Sequence, residues 1–553
     1  MVIVGIKLTH DGALALIDKG HLIFCYEIEK IKNQYRHQAF NLSRKDIEDI
    51  LVVHGYTWNS VDQWVIDGWR GTRLGDSCIL ENTYIPDLKA ENFPLANYGH
   101  CVTSNDDLQT PRKISLEKNH FSYESYPHVT GHIFGAYCTS PFAERKEDSF
   151  ILVWDGEMPP QLFYYRHKEG SLLVLGALFH LAGSIYIDLP RQFKPFCDYY
   201  EFDMSIPGKV MAGIALGNPE PSIIQHFQNT YTSLLKLEEH TNPTIFVQQI
   251  TKSFVKASKI YAELQELDTV DMWAAMHSFL EGLLIDGLNR QVSENTDFKR
   301  NLCISGGCAL NIKWNSTIRN TGLFMEIWVP PFPNDSGNAL GTACAAMAFH
   351  TGNVNLDWNV YKGPDFHNKN LEDINCSRKP CSLKELAKII DVTQEPILFL
   401  NDCAELGPRA LGNRSILASP RQTEMKDRLN TIKAREPFRP IAPICLENYA
   451  PNIFSPGNPD PYMLFEHQVF DSWLDKIPAV VHLDQSARLQ TVNKTQHPLL
   501  FELLTKHYQL TGIPVLCNTS ANLKGRGFFP DIKSAIEWGG VRYIWNAGIL
   551  YSL

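Results

Sequence analysis

The chain of 553 residues carries 51 Lys and Arg against 61 Asp and Glu, a formal net charge of -10 with histidine neutral. With 44% hydrophobic and 20% charged residues it has the make-up of a globular protein too long for one core, which excludes a disordered or fibrous chain and implies two or more domains. The acidic balance argues against a nucleic-acid footprint spread over the surface, and 13 cysteines without a Cys-x-x-Cys pair argue against a disulfide framework or a thiolate zinc site.

Met1 to Leu8 leads straight into Thr9-His10-Asp11-Gly12, with no basic region and no cleavable apolar core. No uncharged apolar run approaches the roughly twenty residues a spanning helix needs, so a cytoplasmic chain without a membrane span is expected. Val2 to Leu8, Gly12 to Ile17 and Leu22 to Ile28 read as three consecutive strands. Strand, Asp-Gly turn and strand return at Phe150 to Trp154, Asp155-Gly156 and Gln161 to Arg166, which suggests duplication on the actin-like plan. Asp46 to His54 and Met272 to Val292 have helical spacing. Leu302 to Ser305, Gly306-Gly307 and Cys308 to Arg319 read as strand, tight turn and helix; Met325 to Val329, Asp335-Ser336-Gly337 and Asn338 to Phe349 repeat that order. Gly, Asn, Asp and Pro crowd Thr351 to Asn370, so a linker is placed at 351–372, between a first domain at 1–350 and a second at 373–553. Beyond it Ile397 to Leu400, Ile441 to Leu446, Ala479 to Leu483 and Ile513 to Cys517 read as strands among helices, a second α/β unit.

His128 and His132, four residues apart, share one face of a helix, as two imidazoles must to hold one metal. Asp155 and Asp335 each follow a strand at a glycine-bearing turn and complete a two-histidine, two-carboxylate set suited to iron, manganese or zinc. Gly306, Gly307, Gly337 and the run Gly208 to Gly213, with Lys209, offer backbone amides and a charge to phosphates. His10 is a candidate general base, since imidazole titrates near neutrality; a satisfied turn histidine is the bland alternative. Between Arg409 and Arg439 eight basic residues face three acidic ones. Lys426 and Arg428 read as solvated helix charges. Arg409, Lys433 and Arg439 sit by rigid turns and read as pocket residues for phosphates, with Arg488 closing the pocket and Asn518, Ser520 and Asn522 adding polar partners.

Gly5 to Gly12, the His128/His132 pair, Ser305 to Asn311, Asn334 to Gly341, Gly407 to Ser415 and Arg435 to Pro443, in that order, resemble the O-carbamoyltransferases that include the nodulation U proteins and the enzymes acting on tobramycin and cephems. The resemblance implies an N-terminal actin-like, duplicated ribonuclease-H-like domain similar to the threonylcarbamoyl-transfer protein of tRNA modification. It implies a C-terminal domain similar to the carbamoyl-adenylate-forming protein of that pathway. Carbamoyl phosphate and ATP, with Mg2+, would give carbamoyl adenylate at Arg409, Lys433, Arg439, Arg488, Asn518, Ser520 and Asn522. The carbamoyl group would then pass to a hydroxyl of a small molecule or sugar, assisted by His10 and by iron(II), or another divalent metal, on His128, His132, Asp155 and Asp335. Lys209, Gly213, Gly306, Gly307, Asn311 and Gly337 would hold the nucleotide there. A homodimer is compatible with the family; nucleic acid and membrane are not expected partners. An actin-like small-molecule kinase, a tRNA-modifying enzyme and a nucleotide-binding regulator are the rival readings. The Asn-, Tyr- and Pro-rich stretch Arg70 to His120 is a candidate acceptor pocket.

Overall fold

The computed structural model describes the chain apart from residues 32, 71, 75–76, 82–91, 105–107, 117–120, 201–202, 238–241 and 367–375. The chain divides into two compact units: Met1–Cys25 with Ala39–Trp358, and Tyr26–Gln38 with Asn359–Leu553. The division at Trp358 falls inside the stretch 351–372 read as a linker, part of which lies outside the described residues. No sequence signal marked Tyr26–Gln38 as belonging to the second unit.

Two sheets organise the first unit. One runs in the order His21–Glu27, Ala13–Asp18, Val2–Lys7, Gln63–Asp67, Phe121–Tyr126, Arg112–Leu116. Val2–Lys7 is antiparallel to Ala13–Asp18 and parallel to Gln63–Asp67, which is parallel to Phe121–Tyr126. The other runs Ser171–Ala177, Gln161–Arg166, Ser149–Val153, Asn301–Ser305, Glu326–Trp328, again with antiparallel pairings followed by parallel ones. Strands such as Ser149–Val153, buried at every position, are apolar without alternation because both faces are covered. Asp11-Gly12 and Asp155-Gly156 follow strands in equivalent places of the two sheets.

Two helices position the site. His128–Cys138 starts directly after Phe121–Tyr126, with Pro127 as its N-cap, and Asn338–Thr351 follows the short turn Asp335–Gly337. They approach so closely that a Cβ on Gly341 would lie 2.0 Å from the Gly131 carbonyl oxygen, a separation no side chain tolerates. The expected helix at Asp46 runs Arg44–Val53 behind a Ser43/Asp46 capping box, and the long helix runs Thr269–Glu294, N-capped by Asp268.

The second unit is built on an eight-stranded sheet whose central strands are Tyr543–Asn546, Ile397–Leu400, Arg414–Ala418 and Val515–Ser520, with Ala442–Leu446 next to them. Alternation sends Leu398, Leu400 and Ile416 into a core with Met425, Leu429, Ile532 and Ala535, and Ile397, Phe399 and Leu417 into one with Leu386, Ile390, Leu500 and Leu504. Helices therefore cover both faces, a three-layer α/β/α arrangement. The strand expected at Ala479 to Leu483 is absent. Pro478 instead opens a 3-10 turn at Pro478–Val480, because its ring presets the φ of a helical first residue, and the Ala479 N–H is spent on the Pro420 carbonyl. Among the described residues no helix is long and apolar enough to cross a membrane.

Candidate metal centre and anion cleft

In the first unit His128, His132, Asp155 and Asp335 are all buried, and one ligand atom from each lies within 4.8 Å of the others. The Nε2 atoms of His128 and His132 stand 3.4 and 3.5 Å from Asp335 Oδ1, and neither has a hydrogen-bond partner among the described residues. Two orphaned imidazole nitrogens facing carboxylates in a buried cluster fit a cation, since burying such atoms unpaired is otherwise costly. The surroundings hold the ligands in place. His128 Nδ1 meets Asp67 Oδ2 at 2.8 Å, which directs Nε2 inward. Tyr98 Oη donates to Asp155 Oδ2 at 2.6 Å and the Gly307 N–H donates to Asp155 Oδ1 at 2.6 Å. Burial alone would raise the Asp335 and Asp67 carboxyls, but Lys7 and His128 outweigh it and hold Asp335 well below, and Asp67 below, the ordinary range.

His10 stands at the rim, its side chain 36% exposed, with Nδ1 2.9 Å from Asp11 Oδ2 and Nε2 3.6 Å from Asp335 Oδ2. Gly306, at φ +89°, is stitched beneath Trp154, where a Cβ would sit 2.3 Å from the carbonyl oxygen. The Gly337 N–H is engaged by the Asn334 carbonyl. Asn311 caps the helix Ile312–Asn320 by accepting from the Lys313 and Trp314 N–H groups. Lys209 and Gly213 lie on a separate helix, Ile206–Gly213, with the Lys209 ammonium over the Tyr199 ring. Much of the Arg70 to His120 stretch is outside the described residues; within the described part Arg70 pairs with Glu157 and His100 stacks on Tyr98.

In the second unit Arg409, Arg435, Arg439 and Arg488 converge, joined by Arg36 from the Tyr26–Gln38 segment. Burial, then the neighbouring guanidinium groups, pushes Arg409 down to about 10 and Arg435 to about 9, and Arg488 falls well below its ordinary range. Burial also lowers Arg439, which lies 3.7 Å from Glu436. Asp460 also acts on the cluster, and Glu29 Oε1 lies 3.9 Å from Arg36 Nε. Arg409 Nε and Arg488 Nε are buried with no hydrogen-bond partner among the described residues. Five guanidinium groups face three carboxylates, Glu29, Glu436 and Asp460, and the excess positive charge fits a multiply charged anion.

Lys433 is placed differently from the phosphate contact its motif suggested. All three of its N–H groups are spent, on the Ser520 carbonyl at 2.6 Å, the Asn522 carbonyl at 2.6 Å and Asn522 Oδ1 at 2.5 Å, so it locks the Ser520-Ala521-Asn522 turn. Asn518 Nδ2 donates to the Ala410 carbonyl and to Gln490 Oε1, tying the Arg409 turn to the sheet. Arg414 is fully buried and binds backbone carbonyls of Asn401, Asp402 and Asn413, so its charge serves the fold. Arg428, read as a solvated helix charge, is exposed and paired with Glu395.

Residues 2–344 match the family model described as Carbamoyltransferase N-terminus, and residues 391–541 match Carbamoyltransferase C-terminus. The chain belongs to the carbamoyltransferase family. Similar relatives of this carbamoyltransferase include Nodulation protein U of Bradyrhizobium diazoefficiens, 44% identical over 100% of this chain and 97% of the relative. Nodulation protein U of Rhizobium tropici is 45% identical over 100% and 96%. The 3'-hydroxymethylcephem-O-carbamoyltransferase of Streptomyces clavuligerus is 30% identical over 97% and 96%. The buried His/Asp cluster of the carbamoyltransferase lies wholly within the first matched segment, and Arg409 to Asn522 within the second. Lys7, Asp67, Tyr98, Arg36 and Arg435 are the site residues that motif reading passed over. A charged residue closing an apolar strand, as Lys7 and Asp67 do, was the available signal for the first two.

Proposed function

We propose that this carbamoyltransferase is an ATP-dependent O-carbamoyltransferase that activates carbamate in the second unit and delivers it to a hydroxyl acceptor in the first. The observation that carries this reading is the arginine cleft of Arg36, Arg409, Arg435, Arg439 and Arg488, a binding surface for a triphosphate beside a second anion. Water releases carbamate and inorganic phosphate from carbamoyl phosphate. A carbamate oxygen attacks the α-phosphorus of ATP, held with Mg2+, and pyrophosphate leaves. The arginines offset charge crowding on the phosphates, while Lys433 and Asn518 keep the Ser520–Asn522 and Arg409 turns in register. Carbamoyl adenylate is the better acyl donor because AMP, unlike oxide, is a stabilised leaving group.

In the first unit His10 accepts the proton of the acceptor hydroxyl as its oxygen attacks the carbamoyl carbon and AMP departs; its exposed rim position supports that role. A divalent metal, iron(II) by resemblance, held by His128, His132, Asp155 and Asp335, would supply positive charge for the phosphate of the intermediate. Lys209, Gly213, Gly306, Gly307, Asn311 and Gly337 belong to the nucleotide side of that site in this reading. The repeated strand order of the two sheets supports a duplicated ribonuclease-H-like, actin-like first domain. A cytoplasmic enzyme, dimeric by family likeness, acting on a small-molecule or sugar hydroxyl completes the reading.

The test is incubation of the purified protein with ATP, carbamoyl phosphate, Mg2+ and Fe2+, with nucleotides and pyrophosphate followed by chromatography. Pyrophosphate and AMP that depend on carbamoyl phosphate, and are lost in Arg439→Ala, support the reading. ADP in their place would overturn it in favour of a kinase.

A further inference from the structure

Lys7 is 0% exposed, and a lysine so completely enclosed is rare unless its charge is matched. Its ammonium donates to Thr9 Oγ1 at 2.7 Å and lies 3.0 Å from Asp67 Oδ2 and 3.1 Å from Asp335 Oδ2, with the face of Trp69 3.9 Å away. These two carboxylates have different tasks. Asp67 Oδ2 also meets His128 Nδ1, whereas Asp335 turns Oδ1 toward the Nε2 atoms of both histidines. One ammonium therefore touches both the carboxylate that orients a histidine and the carboxylate that stands beside the histidines' free nitrogens.

We propose that Lys7 is a positioning residue of the metal centre: by ion-pairing with Oδ2 of both Asp335 and Asp67, it turns Asp335 Oδ1 toward the histidines and keeps His128 aimed inward. The inference rests on the reading of His128, His132, Asp155 and Asp335 as metal ligands. It has a definite sign. Coulomb attraction by itself would make a dication bind more tightly once a neighbouring positive charge is removed. Positioning demands the reverse, because two buried carboxylates without their shared ammonium repel one another and turn away from the ligand geometry.

The experiment titrates metal-free full-length protein with Mn2+ and reads free Mn2+ by electron paramagnetic resonance, alongside the thermal midpoint of each metal-free variant. Wild type should bind one Mn2+, His128→Ala should lose it, and Lys7→Met should bind about 10–100-fold more weakly, the range seen when a group orienting a metal ligand is removed. Lys7→Gln, which keeps one donor without the charge, should fall between wild type and Lys7→Met, and it supplies the reading if Lys7→Met does not fold. Unchanged or tighter Mn2+ binding by a folded Lys7 variant overturns the positioning role while leaving the metal centre intact. A wild type that binds no Mn2+, or binds it equally with His128→Ala, overturns the metal reading and the role of Lys7 with it.

Discussion

Removing one guanidinium from the anion cleft should stabilise the protein in the absence of ligand. Arg409 is pushed down to about 10 from the ordinary 12.5, which sets a ceiling of about 3–4 kcal/mol on what its charge costs the folded state. Burial is the largest cause and the repulsion of Arg36, Arg439 and Arg435 follows. Water in a half-open cleft screens much of this, leaving about 1–2 kcal/mol. The sign follows from linkage: a base whose folded pKa is depressed costs stability at every pH below that pKa, so the full cost is present at pH 7. Arg409→Met should therefore raise the thermal midpoint of the second unit by roughly 2–8 °C at low salt, taking about 2–4 °C per kcal/mol for a domain of this size. In 0.5 M NaCl the gap should narrow, because salt screens the guanidinium repulsion but not the cost of burial. Inorganic pyrophosphate should raise the midpoint of the wild type and leave the variant's nearly unmoved. A lower midpoint for Arg409→Met at low salt, or a wild type indifferent to pyrophosphate, would refute the reading of the cleft as an unneutralised anion site.

Chelator treatment followed by return of Mg2+ alone should abolish transfer to the acceptor yet spare carbamoyl-phosphate-dependent pyrophosphate formation, because the arginine cleft and the His/Asp cluster are on different units; parallel assays of the two half-reactions check this. Gly341→Ala forces a methyl group to 2.0 Å from the Gly131 carbonyl, so it should cost at least about 1–3 kcal/mol by overpacking and misplace both histidines, read by circular-dichroism melts and Mn2+ titration. His497, buried and lowered to about 4, accepts from the Leu500 N–H and faces Asn413 Oδ1, so it folds only as the neutral imidazole. Its contribution is complete above about pH 6.5 and is lost as pH falls toward 4; His497→Asn should flatten the decline of the thermal midpoint across that window.

The buried cluster of His128, His132, Asp155 and Asp335 was legible because each residue sits where local rules speak: the histidines one helical turn apart, the aspartates at turns after strands. Lys7 and Asp67 obey no such rule. They become neighbours because Val2–Lys7 pairs in parallel with Gln63–Asp67, a choice made by sheet order across some sixty residues rather than by the residues themselves. The glycine turns were legible as turns, yet Gly306 and Gly337 answer first to close backbone approach, a packing demand that looks the same in sequence as a phosphate cradle. Lys433 shows the same ambiguity from the other side, since a basic residue beside a rigid turn can bind a ligand or, as here, the carbonyls of its own pocket wall.

Arg36 was the least legible, and its placement has a consequence for dividing the chain. Lys30 in the same segment donates to Glu27 Oε1 and to the carbonyls of Glu405 and Gly407 at 2.7, 2.7 and 2.6 Å, while the Gly407 N–H donates to Glu27 Oε1 at 2.7 Å. A fragment cut at Asn359 keeps the whole eight-stranded sheet but loses these partners, leaving the Gly407 amide and two carbonyls unmatched at about 1–3 kcal/mol for each group that stays buried. It also loses one arginine from the cleft. Residues 359–553 alone should therefore melt well below the second unit of the full chain and bind pyrophosphate weakly, and fusing Tyr26–Gln38 through a flexible linker should recover both. Equal melting and equal pyrophosphate binding with and without the segment would show that Lys30 and Arg36 decorate the cleft rather than complete it.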